Sequence, residues 1–233
     1  MAAFFVTGTD TDVGKTLVAT GLLSLARRQG MSTLGLKPIA SGCERTHAGL
    51  QNEDALALQA QGTPPLTYAA INPFAFEPAI APHLAARRAG TTVTVDALVG
   101  HIAPLLAGRR ALSLVEGAGG WRVPLNDHED LSRLAVRLEL PVILVVGLKL
   151  GCISHACLTA EAIRADGLPL AGWVGNLLDE RFAADTALYA DNLATLEHAL
   201  PGPCLGIVPR LRDMDHERRP EAAAHYLKLP HGD

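Results

Sequence analysis

Two hydrophobic rhythms alternate along the chain. Short, almost wholly apolar runs, such as Ala3–Val6, Leu112–Val115 and Pro141–Gly147, show no period of two. That predicts strands buried on both faces. Between them lie longer stretches in which apolar residues return every three or four positions, the period of a helix with one face on a core. The pattern predicts strands at 3–6, 32–37, 112–116, 141–147, 170–177 and 204–208. It predicts helices at about 17–30, 53–61, 82–88, 96–107, 131–138, 153–165 and 181–200. Asn52 reads as a cap of the second helix, and Thr94 or Asp96 as a cap of the fourth. Residues 39–49 and the proline-rich stretch 62–82 read as irregular, the latter placed to cover a site. Alternating strands and helices predict an α/β fold, with one mostly parallel sheet flanked by helices on both faces. No linker or repeat divides the chain. The expectation is one domain over 1–233, with a core of about 2–213 and a polar, partly helical tail at 214–233.

Composition narrows the functional classes. At 233 residues, with 48% apolar and 19% charged residues, the chain has material for a large core. A net charge of −4 and a pI near 6.1 provide no basic footprint for nucleic acid. The longest apolar run, Val142–Leu148, is too short to span a bilayer. The N-terminal residues read as a strand, not a charged-then-apolar leader, so a cytoplasmic location and no membrane partner are expected. The cysteines (Cys43, Cys152, Cys157, Cys204) read as reduced thiols. Cys152, His155 and Cys157 are close in sequence, but helical spacing puts them on different faces, which favours packing over metal binding. His83, inside a helix, reads as a hydrogen-bonded structural residue.

Chemistry enters at Gly8-Thr9-Asp10-Thr11-Asp12-Val13-Gly14-Lys15-Thr16, between the first strand and the first helix. Glycines let backbone amides approach an anion, and the open N-terminus of a helix favours phosphate. Lys15, expected to be solvated, can reach outer phosphates, and the Thr16 hydroxyl can ligate Mg2+. The glycines enclose five residues, where the common phosphate loop has four. Lysine occurs only at 15, 37, 149 and 228, and the first three lie at or just beyond strand ends, where ligands bind in open α/β sheets. Glu116 ends a buried strand ahead of Gly117-Ala118-Gly119-Gly120. An acid there needs a partner, and beside a phosphate loop that partner is a metal ion. Asp54, in the first turn of the helix capped by Asn52, reads on its own as a complement to the helix dipole.

The loop at 8–16, with its five-residue spacing, resembles the ATP loop of the dethiobiotin synthetases, a P-loop NTPase family. The likeness continues through Gly35-Leu36-Lys37-Pro38-Ile39-Ala40-Ser41-Gly42, Asn52-Glu53-Asp54, Asn72-Pro73-Phe74, Val115–Gly120, Pro141–Gly147, Lys149–Ile153 and Leu170–Val174. It implies an ATP- and Mg2+-dependent cyclo-ligase of biotin biosynthesis. Such an enzyme captures CO2 on diaminopelargonic acid as a carbamate, phosphorylates it with ATP, and closes the cyclic urea of dethiobiotin. By resemblance, Lys15 holds the outer phosphates, and Lys37 acts on the carbamate and the transferring phosphoryl group. Thr11 lies near the carbamate and Ser41 bonds the substrate. Thr16, Asp54 and Glu116 hold Mg2+. Asp12, Val13, Gly14 and Leu17 of the loop, with Gly117, Ala118 and Gly119, complete the nucleotide site. Asn176, Leu177, Pro209, Arg210, Leu211 and Asp213 line the base. Gly151, Cys152, Ile153 and Ser154 reach the substrate across a homodimer boundary. Ser154 stands where asparagine is common in the family, which leaves open whether it touches the substrate directly. Two rivals remain. A partitioning-type ATPase carries an extra lysine early in the loop, where this chain has Thr9-Asp10. A glutamine-dependent amidoligase needs a glutaminase domain, for which 233 residues leave no room.

Overall fold

The computed structural model describes residues 1–211 and 214–230. Strand β1 (Ala2–Gly8) passes through the glycine-bounded loop into α1 (Lys15–Arg28), and β2 (Thr33–Leu36) returns. Next come β3 (Ile39–Ser41), a hairpin of β4 (Glu44–Thr46) and β5 (Gly49–Gln51), α2 (Glu53–Ala60), α3 (Tyr68–Ile71) and β6 (Phe74–Phe76). The chain continues as α4 (Pro82–Arg88), α5 (Val95–Ala107), β7 (Leu112–Glu116), α6 (Ser132–Arg137), β8 (Val142–Leu148), α7 (Cys152–Ala165) and β9 (Leu170–Leu177). It closes with α8 (Glu180–Ala184), α9 (Thr186–Ala199), β10 (Cys204–Val208), a 3-10 turn at His216–Arg218 and α10 (Arg219–Ala224).

Six strands form the central sheet in the order β10-β9-β8-β1-β7-β2, every pair parallel. Every residue of β7 and β8 is buried, which is why their sequences are apolar without alternation. β1 divides its side chains between the two faces. Phe4 and Val6 pack with Val18, Leu22 and Leu23 of α1. Phe5 faces the other way, toward Leu98 and Ile102 of α5, and meets Trp121 edge-on at 6.0 Å. Because all six strands run one way, their C-terminal ends share one edge. That edge carries the loop after β1, Lys37 after β2, Glu116 at the end of β7, Asn176 in β9 and Pro209 after β10.

The expected sheet and most helices are present, and three regions differ. The stretches read as irregular contain β3 and β6, which pair in parallel as a separate two-stranded sheet. Three-residue strands from distant segments carry no readable period. The expected helix 181–200 is two helices, because Asp185 adopts an extended backbone (ψ 100°) and its carboxylate accepts from the amides of Ala187 and Leu188. A side chain that caps a new helix ends the one before it. The tail, to which the sequence assigns no role, is docked. Ala223 and Leu227 join the core of α1, closing so tightly on Gly21 that a Cβ there would meet Leu227 at 2.8 Å and Ala223 at 2.9 Å.

Candidate active site

The loop from Gly8 to Gly14 is anchored at Val13. Its side chain is buried between Gly8 and Gly147, and at either glycine a Cβ would collide with it. Its carbonyl accepts the side-chain amide of Asn176 at 2.9 Å, which ties the loop to β9. Gly14 then turns with φ 92°, and a Cβ there would overlap that same amide. No side chain caps α1, so its first amides face the cleft as an anion cradle. Lys15 is not solvated as expected. It is 7% exposed, and its ammonium donates to the carbonyl of Asp10 at 3.0 Å. Burial, together with the nearby charge of Lys37, pulls its pKa down to about 8.

Lys37 lies at the centre of the charged groups. Its ammonium donates to Glu116 Oε1 at 2.5 Å, to Asp54 Oδ2 at 3.1 Å and to the carbonyl of Gly117 at 3.2 Å. The hydroxyl of Thr16 donates to the same Glu116 oxygen at 2.9 Å. Burial alone would lower the Lys37 pKa, but the carboxylates of Glu116 and Asp54 overturn that and hold it above the usual lysine range. Burial likewise pushes Asp54 up, yet Lys37 and the Thr16 hydroxyl hold it below the usual carboxylate range. Glu116 is fully buried, and desolvation raises it against the pull of Lys37. Its second oxygen, Oε2, is buried with no hydrogen-bond partner.

The backbone of Lys37 is fixed by residues far along the chain. Its amide donates to Ile71, and its carbonyl accepts from the buried Asn72 side chain at 2.6 Å. Asn72 Oδ1 accepts from the Tyr68 hydroxyl, which in turn accepts from the amide of Asn52. Asn52 caps α2 through the amide of Ala55, as expected, and so aims Asp54. One relay thus positions both Lys37 and Asp54.

Lys15, Thr16, Lys37, Asn52 and Asp54 line a cleft of about 830 Å³, which also takes in Thr11, Asp12, Gly14, Ser41, Ala118 and Gly119, while Glu116 is buried behind Lys37 and Thr16. The structure therefore brings together the loop, Lys15, Thr16, Lys37, Ser41, Asp54 and the glycine stretch after β7. It does not bring Gly151, Cys152, Ile153 and Ser154 into that cleft. They begin α7, where Cys152 is buried and Ser154 is exposed. Asn176 lies against the loop, and Asp213 lies outside the described residues. Lys149 approaches Asp10 at 3.8 Å on the surface. His83 faces a separate hollow with Arg87, Asp127 and His128. Ala79–Pro82 line the cleft, as expected of a stretch placed to cover a site, whereas sequence reasoning missed Arg122. Arg122 comes two residues after the glycine stretch, a signal available in the sequence. Ala79–Pro82 reach the cleft only through the pairing of β6 with β3.

Among the described residues, no group of three or more His, Cys, Asp or Glu is placed to hold a metal. The candidate set here is two carboxylates and a hydroxyl, the hard oxygen donors that suit Mg2+. No helix among the described residues is long and apolar enough to cross a membrane.

A family model described as an AAA domain matches residues 2–218. The chain is 68% identical to a Chromohalobacter salexigens protein named ATP-dependent dethiobiotin synthetase BioD, over 99% of both chains. Proteins of the same name from Cellvibrio japonicus and Pseudomonas aeruginosa are 60% and 57% identical, over 90% and 98% of this chain and 90% and 97% of theirs. Among solved structures, the MinC:MinD cell division complex of Aquifex aeolicus aligns with a TM-score of 0.59 at 13% identity, over 92% of this chain and 84% of that one. A ParA family ATPase from Chlorobium tepidum aligns with a TM-score of 0.54 at 14% identity, over 96% and 90%. At such identities the structures share the fold alone.

Proposed function

The chain belongs to the ATP-dependent dethiobiotin synthetase family, and from that premise we propose how the cleft performs the family's reaction. The activity is that of an ATP-dependent cyclo-ligase, which carboxylates 7,8-diaminopelargonic acid with CO2 and closes the cyclic urea of dethiobiotin, releasing ADP and phosphate. The observation that carries the assignment is the convergence of Lys15, Thr16, Lys37 and Asp54 on a single cleft at the ends of parallel strands, with the buried Glu116 bonded to Lys37 and Thr16.

Each bond change in this reaction gathers negative charge on carbamate or phosphoryl oxygens. Groups aimed at those oxygens before the reaction stabilise them without reorganising. The amides from Gly14 to Leu17 and the Lys15 ammonium hold the phosphates. Lys37, on a pinned backbone, stabilises the carbamate and the transferring group. Thr11 and Ser41 line the cleft beyond it and orient the diamine. Asn176, which bonds the loop at Val13, is assigned to the base with Leu177 and Pro209–Leu211.

Thr16, Asp54 and Glu116 would hold Mg2+. Glu116 Oε2, a buried acceptor with no hydrogen-bond partner, fits that role. When bound, the ion neutralises charge on the phosphates. The working protein is a cytoplasmic homodimer of one-domain chains, in which Gly151–Ser154 of each chain completes the partner's substrate site. The deciding assay measures ADP release and identifies the product by mass. Release that depends on both diaminopelargonate and bicarbonate, with dethiobiotin formed, supports the reading. ADP release indifferent to either substrate overturns it.

A further inference from the structure

The two carboxylates assigned to the metal are already engaged by a cation of the protein. The Lys37 ammonium bonds Glu116 at 2.5 Å and Asp54 at 3.1 Å, from a side chain only 5% exposed. The Lys15 ammonium is buried beside them. Two cations then balance two carboxylates. A divalent ion entering alone would leave this cluster with an excess of positive charge, in surroundings where repulsion is weakly screened. Of Glu116 it would find only Oε2 open, since Oε1 already accepts from both Lys37 and Thr16. A polyphosphate entering with the ion reverses the balance. Its oxygens offer acceptors to both ammonium groups, and its charge exceeds that of the ion.

We propose that Lys37 is a charge gate: it holds the Asp54–Glu116 pair against a free divalent ion and yields the pair only when ion and polyphosphate arrive together. The site then loads as a metal–nucleotide complex. Asn72 and Ile71 hold the Lys37 backbone in place. The exchange therefore falls to rotation of its four-carbon stem, which a compact ammonium on a flexible chain allows and a rigid guanidinium fork does not. Turning away from the carboxylates carries the ammonium toward the phosphates, so loading and arming of the site become one event.

This inference rests on the metal assignment above, and the test separates the two. Mn2+ serves as the probe, titrated against the full chain without nucleotide and read from the loss of the free-ion paramagnetic resonance signal. Lys37→Gln is expected to bind Mn2+ at least about tenfold more tightly than the unaltered protein, since one repelling charge is gone. Adding ADP should abolish that advantage, and Glu116→Gln in the Lys37→Gln background should remove it. Equal affinity of Lys37→Gln and the unaltered protein, with Glu116→Gln still weakening Mn2+–ADP binding, overturns the gate and leaves the metal site standing. No effect of Glu116→Gln in any background overturns both. If Lys37→Gln is too unstable to titrate, melting temperatures give the same comparison. Mn2+ must raise that of Lys37→Gln more than that of the unaltered protein, and an equal rise overturns the gate.

Discussion

The least comfortable residue in the site is Lys15. Burial lowers its pKa from 10.5 to about 8, so folding disfavours its charged form. The unfolded chain therefore binds more protons between those values, and this group adds stability only as pH rises through that window. At pH 7 the whole cost is present, on the order of 3 kcal/mol. Lys15→Met should accordingly raise the denaturant midpoint at pH 7, with the gain shrinking toward pH 10. Turnover should fall at least about a hundredfold, the scale of one preorganised electrostatic donor. A variant no more stable than the parent at pH 7 would mean that the lysine is not desolvated as described. The residue reads as a phosphate ligand in the sequence, but its cost does not. That cost arises from burial under a loop closed by distant contacts and from the nearby charge of Lys37.

At the scale of elements, the phosphate loop is held by β9. Gly14→Ala should do two things at once. It strains a backbone at φ 92°, and it drives a Cβ into the Asn176 amide that bonds Val13. Gly30→Ala, at φ 76° with open space around it, carries the strain alone, about 1 kcal/mol. Calorimetric titration should show nucleotide affinity weakened at least about tenfold in Gly14→Ala and unchanged in Gly30→Ala. Similar affinities in the two would show that the contact with Asn176 is dispensable. The C-terminal element gives a second case. Leu227→Ala should cost about 2–4 kcal/mol by leaving a void beside Gly21, while turnover per folded molecule stays level. A loss of turnover exceeding the loss of folded protein would instead tie α10 to the chemistry.

At the scale of the whole molecule, the fold is shared with a MinC:MinD cell division protein complex and a ParA family ATPase. Fold alone therefore does not set the activity. The deciding features are local: Thr9-Asp10 where the partitioning type carries a lysine, and the Lys37-Pro38-Ile39-Ala40-Ser41 loop. For the proposed dimer, the region of Ser154 offers two exposed apolar side chains, Leu150 (89%) in the loop before α7 and Leu158 (61%) one turn beyond Ser154. Mixing an inactive Lys37 variant with an inactive variant altered at 151–154, under conditions that exchange subunits, should restore activity at one of the two sites of the mixed dimer. Exchange without recovery would show that each chain builds its site alone.

Short-range features were legible in the sequence. Strand, loop and helix around Gly8–Thr16, the Asn52 cap and the buried β7 and β8 depend on neighbours within a few residues, whose periodicity and turn chemistry a chain displays directly. The presence of Lys37, Asp54 and Glu116 in one site could be named only through resemblance. Their bonding to one another, across 79 and 17 residues of chain, could not be read at all. Neither could the Asn72–Tyr68–Asn52 relay, the break at Asp185 or the docking of α10. Such contacts depend on strand register and crossover path, which are set when the core packs as a whole, and no local pattern encodes the depth at which an ammonium comes to rest. What the chain displays locally is the loop, its helix and the strand ends on which Lys15, Lys37 and Glu116 sit. That the Lys37 ammonium comes to rest on Glu116 and Asp54, with Lys15 buried nearby, was settled by packing, because only packing brings distant charges close together and away from water.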